Sequence, residues 1–411
     1  MKVLFMCLGA FDNLEESSVH IDILKQLAKD HEVWLACKNE DKPTEMTLEY
    51  GIHVLRIQTG QLKKVGLIKK GINTVLIEPQ FKNAIKKHLS DVRFDLVLYT
   101  TPPITFASSV DYLKRRDGAI TYLMLKDIFP QNAVDLGMMS TEGIKGQLYM
   151  FFRQKEKQLY KLSDYIGCMS PANIQYILEH NTEIDNRKVG ICANCTNVVD
   201  KSIDDQEREI IRKKYGIPVD KKTFIYGGNL GRPQGIPFII DCLKECKELE
   251  DAFFMIVGNG TEYDRLFDYI SMSGQGNVLL MKSLPKDDYD KVVAACDVGL
   301  LFLDHRFTIP NFPSRILPYM QAKLPILACT DPSTDVGRII ENEGFGWWCE
   351  SNSSESFKEL VDSIKKEETI KMGERAYLFL ANNYNVEDTV ESIINTVKLI
   401  YALKKSRLFI K

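Results

Sequence analysis

An apolar run without alternation, Val298-Gly-Leu-Leu-Phe-Leu303, is followed by a polar, proline-punctuated loop, an amphipathic segment and a second apolar run, Pro325-Ile-Leu-Ala328. A strand with no polar side has to be covered on both faces, which is the situation of a parallel sheet flanked by helices. The segment from Arg315 to Lys323 reads as the connecting helix, with Ile316, Leu317 and Met320 on one face and Ser314 as its N-cap. The N-terminus of such a helix sits at the carboxyl edge of the sheet, where free N–H groups and the macrodipole favour a phosphate. Arg315 adds a fixed positive charge there. The same pattern also suits a plain βα crossover with an arginine in its first turn.

Strand and helix alternate along the rest of the chain. In the first half, strands are expected at Val3–Gly9, Glu32–Ala36, Ile52–Ile57, Leu96–Thr100, Ala119–Leu125, Tyr165–Met169 and Val189–Cys192. Helices fall at Val19–Lys29, from about Gln80 to Leu89, at Ile104–Arg115 and from Gly143 to Lys161, and Ser170-Pro171 is a capped helix start. The stretch from Asn197 to Lys222 holds no strand, and the alternation restarts at Thr223. At 411 residues the chain is too long for one ordinary core. The expected organisation is a first α/β domain over 1–198, a linker over 199–222, a second α/β domain over 223–370, and C-terminal helices over 371–411 that pack back on the first domain. Both domains read as doubly wound parallel sheets, with function at the carboxyl ends of the strands.

The composition, 45% hydrophobic and 27% charged, is that of an ordinary globular protein, and the net charge of −3 excludes nucleic acid as a partner implied by charge. Ten cysteines are scattered in apolar surroundings, as buried free thiols are. Cys192-x-x-Cys195 and Cys242-x-x-x-Cys246 have no histidine or second pair at zinc spacing, so no metal site is expected. The N-terminal run turns acidic at Asp12 and reads as a buried strand, not a signal peptide, and no window reaches the length of a membrane span. Between Gly60 and Arg93, eight basic residues (among them Lys63, Lys64, Lys69 and Lys70) alternate with apolar ones. Such a segment suits an anionic membrane surface, or else a solvated lysine face over a core helix.

Two glycine-rich turns follow strands of the second domain. In Thr223-Phe-Ile-Tyr-Gly-Gly-Asn-Leu-Gly-Arg-Pro-Gln-Gly235 the glycines allow close backbone approach to a charged ligand at Gly228, with Asn229 and Arg232 as the side chains placed to reach it. The second turn is Val257-Gly258-Asn259-Gly260. The first strand-end turn, Leu8-Gly-Ala-Phe11, lacks the glycine pattern of a dinucleotide fold, so a nicotinamide cofactor is not expected.

Together these residues resemble the GT-B glycosyltransferases of family 4, and within them the subgroup that builds bacterial capsule and O-antigen repeat units. The signatures are Tyr226–Gly235, Val257–Gly260, Ala295-Cys-Asp-Val298 and Thr308–Arg315, with Lys126-Asp-Ile-Phe-Pro-Gln-Asn-Ala133 and Gly167–Pro171 in the first domain. The resemblance implies two Rossmann-like domains facing a cleft and a retaining transfer of a sugar from a nucleotide diphosphate sugar to a lipid-linked saccharide. It implies no cofactor beyond that donor. The free thiols suit a reducing compartment, so a cytoplasmic protein is expected, with peripheral contact at the inner face of the cell membrane through the 60–93 basic segment. Asp127 and Arg315 become the catalytic candidates. Gly228, Asn229, Arg232, Gly258, Asn259, Arg306, Ser314 and Ile316 become candidates for donor binding, and Asn13 and Thr101 for the acceptor side. Two departures stand out: Asn229 and Gln234 occupy places where the family carries an arginine and a lysine, and the glutamates of its Glu-x7-Glu motif fall on Pro310 and Pro318. A nucleotide-sugar 2-epimerase, a non-catalytic sugar-nucleotide binder and a membrane-surface scaffold are the alternatives the residues leave open.

Overall fold

The computed structural model describes residues 1–61, 67–364 and 369–408. The chain divides into two units, Met1–Asn197 joined by the chain from Val386 onward, and Val198–Asn385.

In chain order the first unit runs β1 (Lys2–Met6), α1 (Val19–Leu27), β2 (Glu32–Asn39), β3 (Glu45–Glu49), β4 (Ile52–Gln58), α2 (Leu67–His88), β5 (Leu96–Thr101), α3 (Ala107–Asp117), β6 (Ile120–Leu125), α4 (Gln131–Asp135), α5 (Gly143–Leu162), β7 (Tyr165–Cys168), α6 (Pro171–His180) and β8 (Val189–Ile191). Its sheet has the order β3-β4-β2-β1-β5-β6-β7-β8. Every neighbouring pair is parallel except β3 with β4. The chain moves outward from β1 through β2, then returns to the other side of β1 as β5. The loops after β1 and β5 therefore flank the point where strand order reverses, the usual place for a ligand in such a sheet. Strands β5 and β6 are buried at every residue, which is why they lack the alternation of a half-exposed strand and carry threonine as their only small polar residue. Ser18 caps α1 through the Ile21 N–H, and Ser170 caps α6 with Pro171 in its first turn.

The second unit contains α7 (Asp205–Tyr215), β9 (Lys222–Asn229), α8 (Ile236–Glu245), β10 (Ala252–Asn259), α9 (Tyr263–Ser273), β11 (Val278–Met281), α10 (Lys286–Ala294), β12 (Val298–Phe302), α11 (Ile316–Gln321), β13 (Ile326–Thr330), α12 (Val336–Asn342), β14 (Gly346–Glu350), α13 (Ser354–Ile364) and α14 (Ile370–Asn383). Its sheet, in the order β11-β10-β9-β12-β13-β14, is parallel throughout. Here the order reverses between β9 and β12, so the loops after those two strands meet at the switch point. Helix α15 (Val386–Leu408) then returns to the first unit and packs on α1, with Val390, Ile393, Ile394 and Val397 in that unit's core.

Two parallel-sheet α/β domains are therefore present, as the alternation implies, but their limits differ from the expectation. Residues 199–222 are not a free linker. Within them α7 packs on α10, and buried Arg212 donates to the Ala295 carbonyl and the Asp297 carboxylate at 2.8 and 2.7 Å. Nor do all residues after 371 join the first unit: α14 lies against α11, with Gly373 so close to the Lys323 carbonyl that a Cβ would stand 1.9 Å from it. Only α15 returns. Strand β3 escaped the sequence reading because it is an edge strand with mostly exposed side chains and no apolar run. Helix α2 begins at Leu67, well before Gln80, and carries Pro79 in its interior, where a proline ordinarily marks a boundary.

Of the basic segment, Lys63 and Lys64 lie outside the described residues, and Lys69 and Lys70 fall within α2. Among the described residues no helix is long and apolar enough to cross a membrane. All ten cysteines are free thiols and buried.

Candidate functional site

In the second unit, parallel pairing of β9 with β10 sets Gly228 beside Gly258 and Asn229 beside Asn259, so both glycine-rich turns leave the sheet at one level. Gly258 is required by that approach, since a Cβ there would lie 1.9 Å from the Gly228 carbonyl oxygen. Gly228 itself has φ 128°, a conformation open to glycine and strained for other residues. Asn259 reaches across to Ser283 at 3.0 Å.

Arg315 enters this turn from the loop after β12. Its guanidinium lies over the Tyr226 ring, 4.7 Å from the centroid, and donates to the Tyr226 hydroxyl. It also stands 3.4 Å from where a side chain at Gly228 would begin. Among the described residues no carboxylate pairs with it. The other two arginines expected here are different. Arg306 is held by Asp304 in a two-point pair at 2.8 and 2.7 Å, and that partner offsets its charge. Burial pushes the Asp304 carboxyl up, but the Arg306 hydrogen bonds prevail and hold it below the usual carboxylate range. Arg232 is 55% exposed and stands 3.8 Å from Glu262.

Two features of this loop correct the sequence expectation. Ser314 is exposed and does not cap the helix; α11 starts at Ile316 with Arg315 in the capping place and no side-chain cap. The N–H groups of Ile316 and Leu317 are not free for a phosphate either, because they donate to the Pro313 and Ser314 carbonyls. The chain enters the helix through a tight turn whose own carbonyls satisfy the first donors, and Ile316 is wholly buried. The positive group at this strand end is thus the Arg315 side chain.

Asn229 and Gln234 bond to each other at 2.9 Å, and the Gln234 side-chain oxygen also accepts from the Gly231 N–H. The two amides close the turn upon itself. Asp304 is part of the same fastening: its N–H donates to the Pro233 carbonyl, and Gly235 comes close enough for a Cβ to touch the Asp304 backbone at 3.4 Å.

In the first unit, Asp127 follows β6. Its carboxylate accepts from the Asn132 side-chain amide at 2.7 Å. Burial pushes its pKa up to about 6, while the Ile128 backbone and Asn132 hydrogen bonds pull the other way and the Glu156 charge adds to the rise. The Asn132 side-chain oxygen is buried without a hydrogen-bond partner. Thr101 at the end of β5 is buried; its hydroxyl accepts from the Lys126 N–H and donates to the Asp127 carbonyl, so it fastens the turn that carries Asp127. Asn13 accepts from the Glu15 N–H in the exposed loop after β1, at 2.9 Å. Lys126 points to the Cys192 and Ala193 carbonyls at 3.1 and 3.0 Å. His20, in the first turn of α1, lies beside Phe5 and Phe11; burial and the Lys126 charge lower its pKa to about 4, so it is neutral.

Sequence reasoning overlooked Tyr226, Asn132 and His20. Tyr226 had a signal, an aromatic hydroxyl just before Gly-Gly at a strand end, but its contact with Arg315 spans eighty-nine positions of chain.

Comparison with known proteins adds to this geometry. Residues 207–379 match the family model described as glycosyl transferases group 1. The chain is 25% identical over 315 residues to a protein named probable glycosyltransferase WbjE from Pseudomonas aeruginosa, a match covering 76% of each. Among solved structures it is similar to a sucrose-phosphate synthase from Thermosynechococcus elongatus (TM-score 0.77, 12% identity, 98% of this chain and 99% of that one). It is also similar to HepE of Anabaena in complex with UDP and glucose (TM-score 0.71, 14% identity, 97% and 99%). A third similar structure is WaaG, described as a glycosyltransferase involved in lipopolysaccharide biosynthesis (TM-score 0.65, 14% identity, 96% and 99%). The chain has the GT-B fold, its second unit carries a match to the glycosyl transferases group 1 domain, and together these support a glycosyltransferase.

Proposed function

We propose that the protein moves a sugar from a nucleoside diphosphate sugar to a lipid-linked saccharide in the assembly of a bacterial surface polysaccharide, as a family 4 enzyme of the capsule and O-antigen subgroup. The observation that carries this reading is Arg315, a guanidinium without a carboxylate partner among the described residues, set against the Gly228 turn inside the matched domain. The UDP seen in HepE supports a nucleotide donor, and the role given for WaaG supports a surface glycan as product.

Transfer with a diphosphate leaving group requires negative charge to be met as it develops, and a preorganised arginine does this at little reorganisation cost. Arg315 takes that role, with the Gly228 and Gly258 turns letting the backbone approach the donor. Arg232, Arg306 and Asn259 form the rim of the donor site. In the first unit Asp127, with a pKa near neutrality, orients the acceptor hydroxyl and assists its deprotonation. The reaction retains anomeric configuration, as the family resemblance implies. The protein works in the cytoplasm at the inner face of the membrane, to which the basic stretch between Gly60 and Arg93 brings it; the exposed Val75 and Leu76 of α2 suit such contact.

The test is a thermal-shift screen with UDP, GDP and their sugars, followed by transfer to a lipid-linked saccharide with the nucleotide that binds. A ligand that binds only the native state raises its stability. Nucleotide binding with transfer is expected. Product formed without an acceptor would indicate the 2-epimerase instead, and binding without any turnover a non-catalytic binder. No response to any nucleotide would refute the donor site itself.

A further inference from the structure

The hydroxyl of Tyr226 makes two hydrogen bonds with opposite roles. It donates to the Asn229 carbonyl at 2.7 Å, which leaves its oxygen as an acceptor, and Arg315 donates to that oxygen. The chain of bonds therefore runs from the guanidinium through the phenol to the backbone of the glycine-rich turn. Its direction is fixed, because arginine can only donate and a carbonyl can only accept. The ring beneath adds the favourable placement of a cation over an aromatic face.

Around Tyr226 the framework is closely packed. The ring is wholly buried, and Tyr319 accepts from the Gly227 N–H at 3.0 Å while donating to the Leu300 carbonyl at 3.2 Å. Tyr289 closes the other side, so near Gly227 that a Cβ there would meet its hydroxyl at 1.9 Å. An arginine is ordinarily held in place by a carboxylate, as Asp304 holds Arg306, and such a partner offsets the charge it orients. A phenol and a ring face, with the Gly227 carbonyl accepting at 3.5 Å, orient the guanidinium without a counter-charge and leave its charge for a ligand.

We propose that Tyr226 is a positioning residue for the anion site, holding Arg315 toward the Gly228 turn in place of a carboxylate, and that the group it serves is a diphosphate. The inference rests on the donor-site reading above.

Inorganic pyrophosphate is the probe, used in calorimetry on the full chain, because it tests the anion site without any base, sugar or acceptor. Tyr226→Phe keeps the ring and removes the hydroxyl; pyrophosphate binding should weaken about tenfold, the scale of one lost hydrogen bond to a charged group. Arg315→Ala should weaken it further. In the Arg315→Ala background, Tyr226→Phe should have no added effect, an outcome that a merely structural tyrosine would not produce. Arg315→Lys, which keeps the charge but loses the planar fork, should also bind more weakly than the native chain, and it tests the same geometry without touching the buried ring. Native-like binding by Tyr226→Phe, an equal penalty in both backgrounds, or no pyrophosphate binding by the native chain would each overturn the inference. Arg315→Ala binding as well as the native chain would instead remove Arg315 from the donor site and refute that part of the proposed function. Weak binding by Arg315→Ala beside native binding by Tyr226→Phe would overturn the tyrosine's role alone.

Discussion

Asp304 grips Arg306 at two points, Oδ1 to Nε at 2.8 Å and Oδ2 to Nη2 at 2.7 Å, so both oxygens of the carboxylate are engaged. In the loops after β9, β10 and β12, Asp304 and Glu262 are the acidic residues, and Glu262 faces Arg232 and Arg265 at 3.8 and 3.7 Å. Magnesium on a diphosphate is normally held by one or two carboxylates, and binding it here would first require breaking one of these pairs. Transfer is expected to persist in excess EDTA. Activity lost to the chelator and restored by magnesium would show the opposite.

Arg315 should dominate donor affinity. Replacing it with alanine removes the charged donor at the turn and should weaken nucleoside diphosphate binding by about 1.5–3 kcal/mol. Arg306→Ala should cost less, since the charge it removes is already offset by Asp304. Calorimetry with the nucleotide found by the screen distinguishes the two.

Asp127 should make stability and activity depend on pH in opposite senses. Its folded pKa, about 6, is raised above the ordinary value of 3.8. The folded state therefore holds this proton more tightly than the unfolded chain does. The associated stabilisation is complete below the ordinary value and is lost as pH rises through 6. Asp127→Asn should unfold at a higher temperature relative to the native chain at pH 8 than at pH 5, while transfer by the native enzyme should rise with pH through a limb near 6 that the variant lacks. A melting difference independent of pH would show that the carboxyl is not perturbed.

Asp297 ties α7 to the second sheet. It accepts from Arg212 at 2.7 Å, pairs with Arg208, and takes the Thr223 N–H at 2.7 Å. Asp297→Ala leaves Arg212, 3% exposed, without its carboxylate. The Ala295 and Pro218 carbonyls still accept from it, so the loss should fall near the low end for a broken buried pair, about 3 kcal/mol. Urea unfolding measures it, and a change within error of zero would contradict this account.

If the basic segment meets anionic lipid, replacing Lys63, Lys64, Lys69 and Lys70 with glutamine should reduce liposome binding by about 1 kcal/mol per charge, and salt should reduce it as well. Cosedimentation with vesicles of varied anionic content gives the answer. Binding indifferent to charge and salt would return these lysines to a solvated face.

Much of this architecture follows from local pattern. The buried strands β5, β6, β12 and β13 are covered on both faces, so every residue in them is apolar or small, and the sequence displays them directly. The capped starts of α1 and α6 are equally local, a serine bonding to an N–H three residues on. The sequence also marks the glycine-rich turns and Arg315 as neighbours of strand ends. What it could not decide is pairing. Asp304 and Arg306 are two residues apart, yet only the folded loop shows that one offsets the other. Tyr226 and Arg315 are far apart in the chain and meet because sheet order reverses between β9 and β12, bringing the loops that follow both strands to one place. Residue type and spacing determine which elements form. Which charges remain available to a ligand depends on what each side chain touches, and that is a property of the tertiary structure.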